Sequence, residues 1–321
     1  MARIRPLAGK PSLSGQPAAT HSVKQLPREA SLRRESRVNR FLFPFALLCL
    51  CALGLPAAAS EAFNVASFNL RYDTPLDGDN AWAYRRTGVL ALLRRHRFDI
   101  IGTQEGLHHQ IQDIAALPEY AFVGAGRDDG RQAGEYAAII YRKDRFKVLR
   151  SGSFWLSETP EVPSFGWDAR CCRRMVGWAE LKDRRSGKVL YFFTAHFDHE
   201  GTLARRESAK LLLAKIRGIA GDAPVISAGD LNATPDSEPV GILLGALSDA
   251  SAISRSPPSG PTGTFNGFQA KPVKQVRIDY LMVNRHIQVK SFATLDEADH
   301  GRVPSDHFPV MARVVLCARR P

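Results

Sequence analysis

The stretch "SDHFPV", residues 305–310, sets an aspartate and a histidine at the mouth of an apolar run that closes the chain. The same placement recurs upstream. "VASFN" ends in Asn69, "IIGTQE" in Glu105 and "VISAGDLN" in Asp230 and Asn232, "FFTAHFDH" carries His196, and "RIDYLM" opens with Asp279. Any one of these can be a solvated turn or a strand-end cap. Together with Asp306 and His307 they make eight, and strands of a layered sheet finish on a common edge where distant residues converge. The set holds three Asp, one Glu, two Asn and two His. Oxygen donors of this kind suit a hard cation such as Mg²⁺, which takes one or two carboxylates and keeps water or phosphate in its other positions. A zinc site would carry more nitrogen or sulfur. Two imidazoles and spare carboxylates then suffice to activate water and stabilise phosphoryl oxygens.

These residues need strands to hold them. "FNVASFN" and "FDIIGTQE" read as buried strands separated by a helix over about 82–97, with Val89, Leu92 and Leu93 on one face. A second helix is expected near 106–116. Strand patterns follow in "YAFVGAG", "YAAIIYR", "FKVLRSGSFWL", "MVGWAEL" and "VLYFFTAHF", then a helix at 202–219, the strand "APVISAGDLN" and a short helix at 238–246. A Pro, Gly and Ser loop at 254–263 precedes the last strands, "RIDYLMV", "IQVKSFATL" and "FPVMARVVL". Short turns join too many strand pairs for a doubly wound parallel sheet. A four-layer α/β/β/α sandwich is expected, with two mainly antiparallel sheets flanked by helices.

The 321 residues carry a net charge of +12, which points to nucleic acid or a membrane surface until its distribution is considered. Residues 1–59 hold nine Lys or Arg and two Glu, leaving 35 basic and 30 acidic residues beyond them. Residues 1–40 are Pro-, Ser- and Arg-rich without periodicity and read as disordered. "FLFPFALLCLCALGL", residues 41–55, and the small-residue run after it read as an export signal cleaved after Ala59 or Ala62. A short membrane anchor over 41–59 is the competing reading. The catalytic domain would then span 63–318, in the periplasm or outside the cell. Of its cysteines, Cys171 or Cys172 can bridge Cys317; a bond between the adjacent pair would strain the backbone.

In that order and at these separations, "SFN", "TQE", "TAHFD", "GDLN", "RIDYLM" and "SDHFPV" resemble the endonuclease/exonuclease/phosphatase superfamily, over about residues 62–317. "RYDTPLDGDNAW", "WLSETP" and "HFDHEG" further resemble a bacterial metal-dependent hydrolase branch near the deadenylases. The resemblance implies the DNase I-like sandwich and a Mg²⁺-dependent phosphohydrolase, with Mn²⁺ able to substitute. It implies that Glu105 is the principal metal ligand, that Asn69 orients metal-bound water or phosphate beside it, and that Asp306 supports the metal side or a second cation. Asp230 would orient or deprotonate the attacking water, and Asn232 would hold that water and a phosphate oxygen. His196 and His307 would donate to the phosphate from two sides, with Asp279 fixing the His307 tautomer.

The leaving group is chosen by loops and is less constrained. "WDARCCRRM" holds Arg170, Arg173 and Arg174 near Trp167 and Trp155, and "GTFNGF" adds Phe265 and Phe268. These are either stacking and phosphate contacts or an ordinary surface hairpin. On that basis the expected substrate is a phosphodiester, single-stranded nucleic acid or a nucleotide-like diester, handled by a monomer with no protein partner. A phosphomonoesterase, sphingomyelinase or inositol-phosphate phosphatase of the same fold is the alternative, and an exported non-catalytic binding protein is the alternative of another class. Arg277 is placed to pair with Asp279. Asp198, His199 and Glu200 read as loop-shaping, and Arg205 either reaches that loop from the following helix or, the safer reading, belongs to a solvated helix face.

Overall fold

The computed structural model describes residues 61–298 and 301–317. The basic segment 1–40, the expected signal or anchor up to residue 60, and residue 318 lie outside the described residues. Among those described, no helix is long and apolar enough to cross a membrane.

Two six-stranded sheets pack face to face. Sheet one is built from β1 (Phe63–Asn69), β2 (Ile100–Gln104), β3 (Tyr120–Val123), β4 (Ile139–Arg142), β11 (Ile287–Thr294) and β12 (Val310–Leu316), in the order β11-β12-β1-β2-β4-β3. Sheet two takes β5 (Phe146–Trp155), β6 (Met175–Asp183), β7 (Val189–His196), β8 (Val225–Asp230), β9 (Ser248–Asp249) and β10 (Asp279–Val283), in the order β5-β6-β7-β8-β10-β9. Each sheet is antiparallel apart from one parallel pair at its centre, β1 with β2 and β7 with β8. The first pair is bridged by α1 (Trp82–His96) and the second by α3 (Thr202–Ala220); α2 (His108–Ala115) and α4 (Glu238–Leu244) complete the outer layers.

The central strands read as near-continuous apolar runs because both of their faces are covered. Successive side chains go to opposite faces. Ile100, Phe192 and Leu281 enter the core between the sheets. Their neighbours Ile101, Phe193 and Tyr280 turn outward, Ile101 beneath Val89, Leu93 and Ile111 and the other two beneath Leu212, Ile216 and Leu243. Three apolar interfaces therefore separate four layers, the sandwich expected from the sequence. Fully burying one such side chain contributes roughly 1.5–3 kcal/mol.

Near one end of the strands the inter-sheet core turns polar. Gln104 Nε2 donates to Thr194 Oγ1 across the sheets at 2.9 Å. Gly102 lies so close to sheet two that a Cβ there would come within 2.8 Å of both Ala228 Cβ and Thr194 Oγ1.

The cysteines depart from expectation. Cys171 and Cys172 are bonded to each other, and Cys317 is a free, half-buried thiol. Topology explains it. The Cys171–Cys172 loop leads into the start of β6, while Cys317 follows the end of β12, next to the start of β11. Those positions lie at opposite edges of the sandwich. The adjacent pair sits in a loop outside helix and strand, where the backbone is free to accommodate the ring.

Candidate active site

Register brings the polar residues to one edge. Asn69 is level with Gln104, so Glu105 follows directly beside it. His196 is level with Asp230, and Asp230 with Asp279, across β7, β8 and β10. Ser67 is level with Val310, which puts the segment before β12 at the same edge; Ser305 Oγ donates to the Asn69 carbonyl at 2.7 Å. Arg71, Glu105 and Asn232 have φ values of 53°, 63° and 45°. A non-glycine residue held in this left-handed region costs on the order of 1–3 kcal/mol, and such strain concentrates at functional sites. Here it turns the chain sharply as each strand ends.

On the Glu105 side, Asn69 Nδ2 donates to Glu105 Oε1 at 2.9 Å and to Asp230 Oδ2 at 3.0 Å. Its Oδ1 accepts the Arg71 amide at 2.9 Å, which fixes the orientation of the side-chain amide. Asn69 is thus a brace between two carboxylates, with its oxygen turned away from Glu105. Arg71 lies 4.0 Å from Glu105 Oε2 and 3.9 Å from Asp306 Oδ2. Its guanidinium is held by Asp77, whose hydrogen bond raises its already high pKa. Burial and the neighbouring Glu105 charge push the Asp306 carboxyl up, although His307 acts against this.

On the other side, Asp230 Oδ2 stands between two imidazoles, 3.7 Å from His196 Nε2 and 3.9 Å from His307 Nε2. Burial and the Asp279 charge push Asp230 up to about 7. Asp230 Oδ1 accepts the Asn232 amide at 2.9 Å, while Asn232 Nδ2 donates to the Phe197 carbonyl at 3.1 Å. His307 Nδ1 meets Asp279 Oδ2 at 2.9 Å. Burial opposes a charge on His307, but the Asp279 carboxylate outweighs it and holds the imidazole pKa well above its ordinary value. His196 goes the other way: burial, then the Arg174 charge, drives its pKa well down and keeps the ring neutral. The two histidines are therefore a charged and a neutral donor on either side of one carboxylate. Atoms of Glu105, His196 and Asp230 lie within 4.8 Å of one another, as do atoms of Asp230, Asp279 and His307.

Other assignments change. Arg174 is buried and belongs to no surface hairpin: Nη1 contacts the His196 ring at 2.9–3.1 Å, Nη2 donates to His199 Nδ1 at 2.7 Å, and Nε lies 3.4 Å from Asp198 Oδ2. Trp155 is buried, with Nε1 donating to the Arg127 carbonyl at 2.7 Å, so it cannot stack on a base. Trp167 is half-buried and Arg170 exposed. Arg173 lies over the exposed Phe165 ring and 3.5 Å from Asp128. Phe265 is 41% exposed and meets the His307 ring edge-on at 5.2 Å. Phe268 lies 5.8 Å from the buried guanidinium of Arg85. Arg277 pairs with Asp249 at 2.7 Å instead of Asp279, because the two belong to neighbouring segments of the sheet edge. Of the two readings of Arg205 the loop contact holds: it donates to the Asp198 carbonyl at 3.0 Å, while Asp198 Oδ1 accepts the Glu200 and Gly201 amides as a loop-shaping residue should.

Arg127 and Glu135, not singled out from sequence, are paired through both terminal guanidinium nitrogens at 2.6 Å, with Glu135 Oε2 3.9 Å from His196 Nδ1. Both Glu135 and Arg174 stand just ahead of strands at the site edge. The strand-mouth criterion would have found them had it admitted guanidinium and allowed for the residues between Glu135 and Ile139.

Residues 62–307 match the Endonuclease/Exonuclease/phosphatase family, and the chain belongs to that family. Its members are phosphoric ester hydrolases, so the protein is an enzyme of that class, and the family is generally dependent on a divalent metal. A solved endonuclease/exonuclease/phosphatase from Bacteroides vulgatus is 40% identical, with a TM-score of 0.76 over 80% of this chain and 99% of its own. A mannosyl-6-phosphatase from Bacteroides thetaiotaomicron is 37% identical, with a TM-score of 0.75 over 79% of this chain and 100% of its own. TDP2 from D. rerio, solved with a single-strand DNA product, shares the fold at 22% identity and a TM-score of 0.62, covering 79% of this chain and 99% of its own. The chain spans 59% and 26% of two uncharacterized proteins of Acanthamoeba polyphaga mimivirus that it matches at 29% and 25% identity, in each case over 47% of its own length.

Proposed function

We propose that this enzyme is a Mg²⁺-dependent phosphatase that transfers the phosphoryl group of a phosphorylated sugar to water. The observation that carries the reading is Asp230 set between a charged and a neutral imidazole, next to the oxygen-rich group at Glu105. The donors fit a hard cation: Glu105 and Asp230 bring carboxylate oxygens within 4.8 Å of one another, and among the described residues no thiolate joins them. When bound, the metal would polarise a phosphoryl oxygen. Asp230, raised to about 7, is poised to accept a proton from attacking water near neutrality. His307 and His196 donate to phosphoryl oxygens from opposite sides as charge builds on them. Asn232, whose Nδ2 already serves the Phe197 carbonyl, keeps its side-chain oxygen for that water.

A phosphomonoester fits the loops better than the nucleic-acid diester expected from sequence. Trp155, one ground for that expectation, is consumed in the protein interior. The mannosyl-6-phosphatase at 37% identity supports a sugar phosphate. The exposed Phe265 ring beside His307 favours a nucleotide diester as the second reading. Steady-state assays of residues 63–321 with Mg²⁺ against hexose phosphates, dinucleotides and short oligonucleotides separate them. Cleavage of a dinucleotide or oligonucleotide far faster than any sugar phosphate would overturn the first. Export of a chain beginning between Ser60 and Phe63 is proposed on the sequence of residues 41–59, and N-terminal sequencing from cell fractions tests it.

A further inference from the structure

Arg71 brings a permanent positive charge to the oxygen-rich side of the site, and the scheme above gives it no task. We propose that Arg71 is the second cation of this enzyme: its guanidinium takes the position between Glu105 and Asp306 that a second divalent ion would need, so the site works with one metal. The inference rests on the metal-dependent reading above.

Three carboxylates from three segments converge on this group. Asp77, in the turn Pro75–Asn80, accepts from Nε and Nη2 at 2.9 and 2.8 Å. Glu105, just past β2, and Asp306, ahead of β12, stand 4.0 and 3.9 Å from it. The three acidic side chains are only 9%, 13% and 12% exposed, and carboxylates kept so far from water repel one another unless a cation lies among them. The guanidinium is that cation. It is beyond hydrogen-bond reach of Glu105 and Asp306, so what it supplies to them is charge.

Arg71 is also held too firmly to step aside for an ion. Its amide donates to Asn69 Oδ1 at 2.9 Å, and its carbonyl accepts from Gln110 Nε2 at 2.9 Å and from the Arg85 guanidinium. These contacts fix the backbone at the φ of 53° noted above. The two bonds to Asp77 fix the plane of the guanidinium, whose central carbon lies 4.5 Å from the centre of the Tyr72 ring.

A second guanidinium reinforces the exclusion. Arg85 is 1% exposed and donates to the carbonyls of Leu70, Arg71, Asn80 and Pro304, the last two residues ahead of Asp306. Among the described residues no carboxylate lies at ion-pair distance from it. A divalent ion between Glu105 and Asp306 would therefore meet two fixed positive charges in a largely buried place, where repulsion is strong. With Arg71 between them, Asp77, Glu105 and Asp306 form no group close enough to share an ion, whereas Glu105 does so with Asp230 and His196. One metal position remains.

Counting bound Mn²⁺ on the purified enzyme by electron paramagnetic resonance tests the assignment. The wild type should bind one ion per chain, and its rate should rise with Mg²⁺ along a single hyperbola. In Arg71→Ala the three carboxylates are free to close on an ion that keeps its other positions filled by water. That variant should bind a second Mn²⁺, about tenfold or more weakly than the first because Glu105 is then shared. Arg71→Gln should do the same and serves if the alanine variant does not fold. Arg71→Lys, which keeps the charge, should hold the count at one, a difference that a merely structural role would not produce. Two ions in the wild type, or a single ion still in the folded alanine or glutamine variant, would overturn the built-in cation and leave the phosphatase reading standing. A wild type that binds no Mn²⁺ and hydrolyses phosphate esters without added metal would overturn both.

Discussion

The His307 imidazole and the Asp279 carboxylate meet through Nδ1 and Oδ2 at 2.9 Å, both side chains buried at the edge of the inter-sheet core. The contact assigns the Nδ1 proton and aims Nε2 at Asp230. It also keeps the ring charged at neutral pH, since its pKa is held well above the ordinary value against the pull of burial.

Asp279→Asn removes that negative charge, so the His307 pKa should drop and the ring should become neutral near pH 7. NMR titration of the imidazole reads this directly. The rate should fall less than in His307→Ala, which removes the donor itself; the reverse ranking would contradict a purely positioning role for Asp279.

Glu105→Gln keeps shape and loses charge at the proposed metal ligand. Mg²⁺ affinity measured by calorimetry should fall by about tenfold or more, because a carboxylate is a far better ligand for a hard cation than an amide. Wild-type affinity would rule out the assignment.

Asp230→Asn should cost several orders of magnitude in rate, as the group acts in the transition state. Its effect on stability has the opposite sign. A carboxyl whose folded pKa is raised to about 7 makes the native state bind the extra proton, so native stability falls as pH rises from about 4 to 7. In EDTA the variant should therefore melt above wild type at pH 8, and the gap should close toward pH 4. Each kcal/mol regained is worth about 2–4 °C in a domain of this size. Differential scanning calorimetry at both pH values checks it.

Arg174→Ala leaves His196, Asp198 and His199 without their shared donor and should lower the rate by roughly a hundredfold or more, since breaking a buried charged network is costly. With the guanidinium gone, the main positive neighbour of His196 goes too, and the ring pKa should rise. A variant with wild-type turnover would place Arg174 outside the catalytic arrangement.

How much of this was legible in sequence depends on what each residue needs for its position. Asn69, Glu105, His196, Asp230, Asp279 and His307 were legible because an apolar strand carries the residues at its ends to the sheet edge whatever its neighbours do. Arg127 was not: its loop is held by Trp155 from β5, a contact made only once β5 and β6 are paired, and Glu135 stands four residues short of its strand. Trp155 was misread for the same reason, as a surface ring when it is a buttress. The cysteine pairing required knowing which edge each residue occupies, information that lies in the direction of β6 and β12 and in no local spacing.

The close approach at Gly102 has a wider meaning. Asn69 and Glu105 ride on one sheet, with Asp306 and His307 at the mouth of its β12; His196, Asp230, Asn232 and Asp279 ride on the other. Neither sheet owns a working set, so catalysis reports how well the two are docked. Loosening that contact by a fraction of an ångström would blunt the chemistry while every helix and strand stayed intact. Under rising denaturant, turnover should therefore fade before far-ultraviolet ellipticity does, making the enzyme a gauge of its own internal alignment.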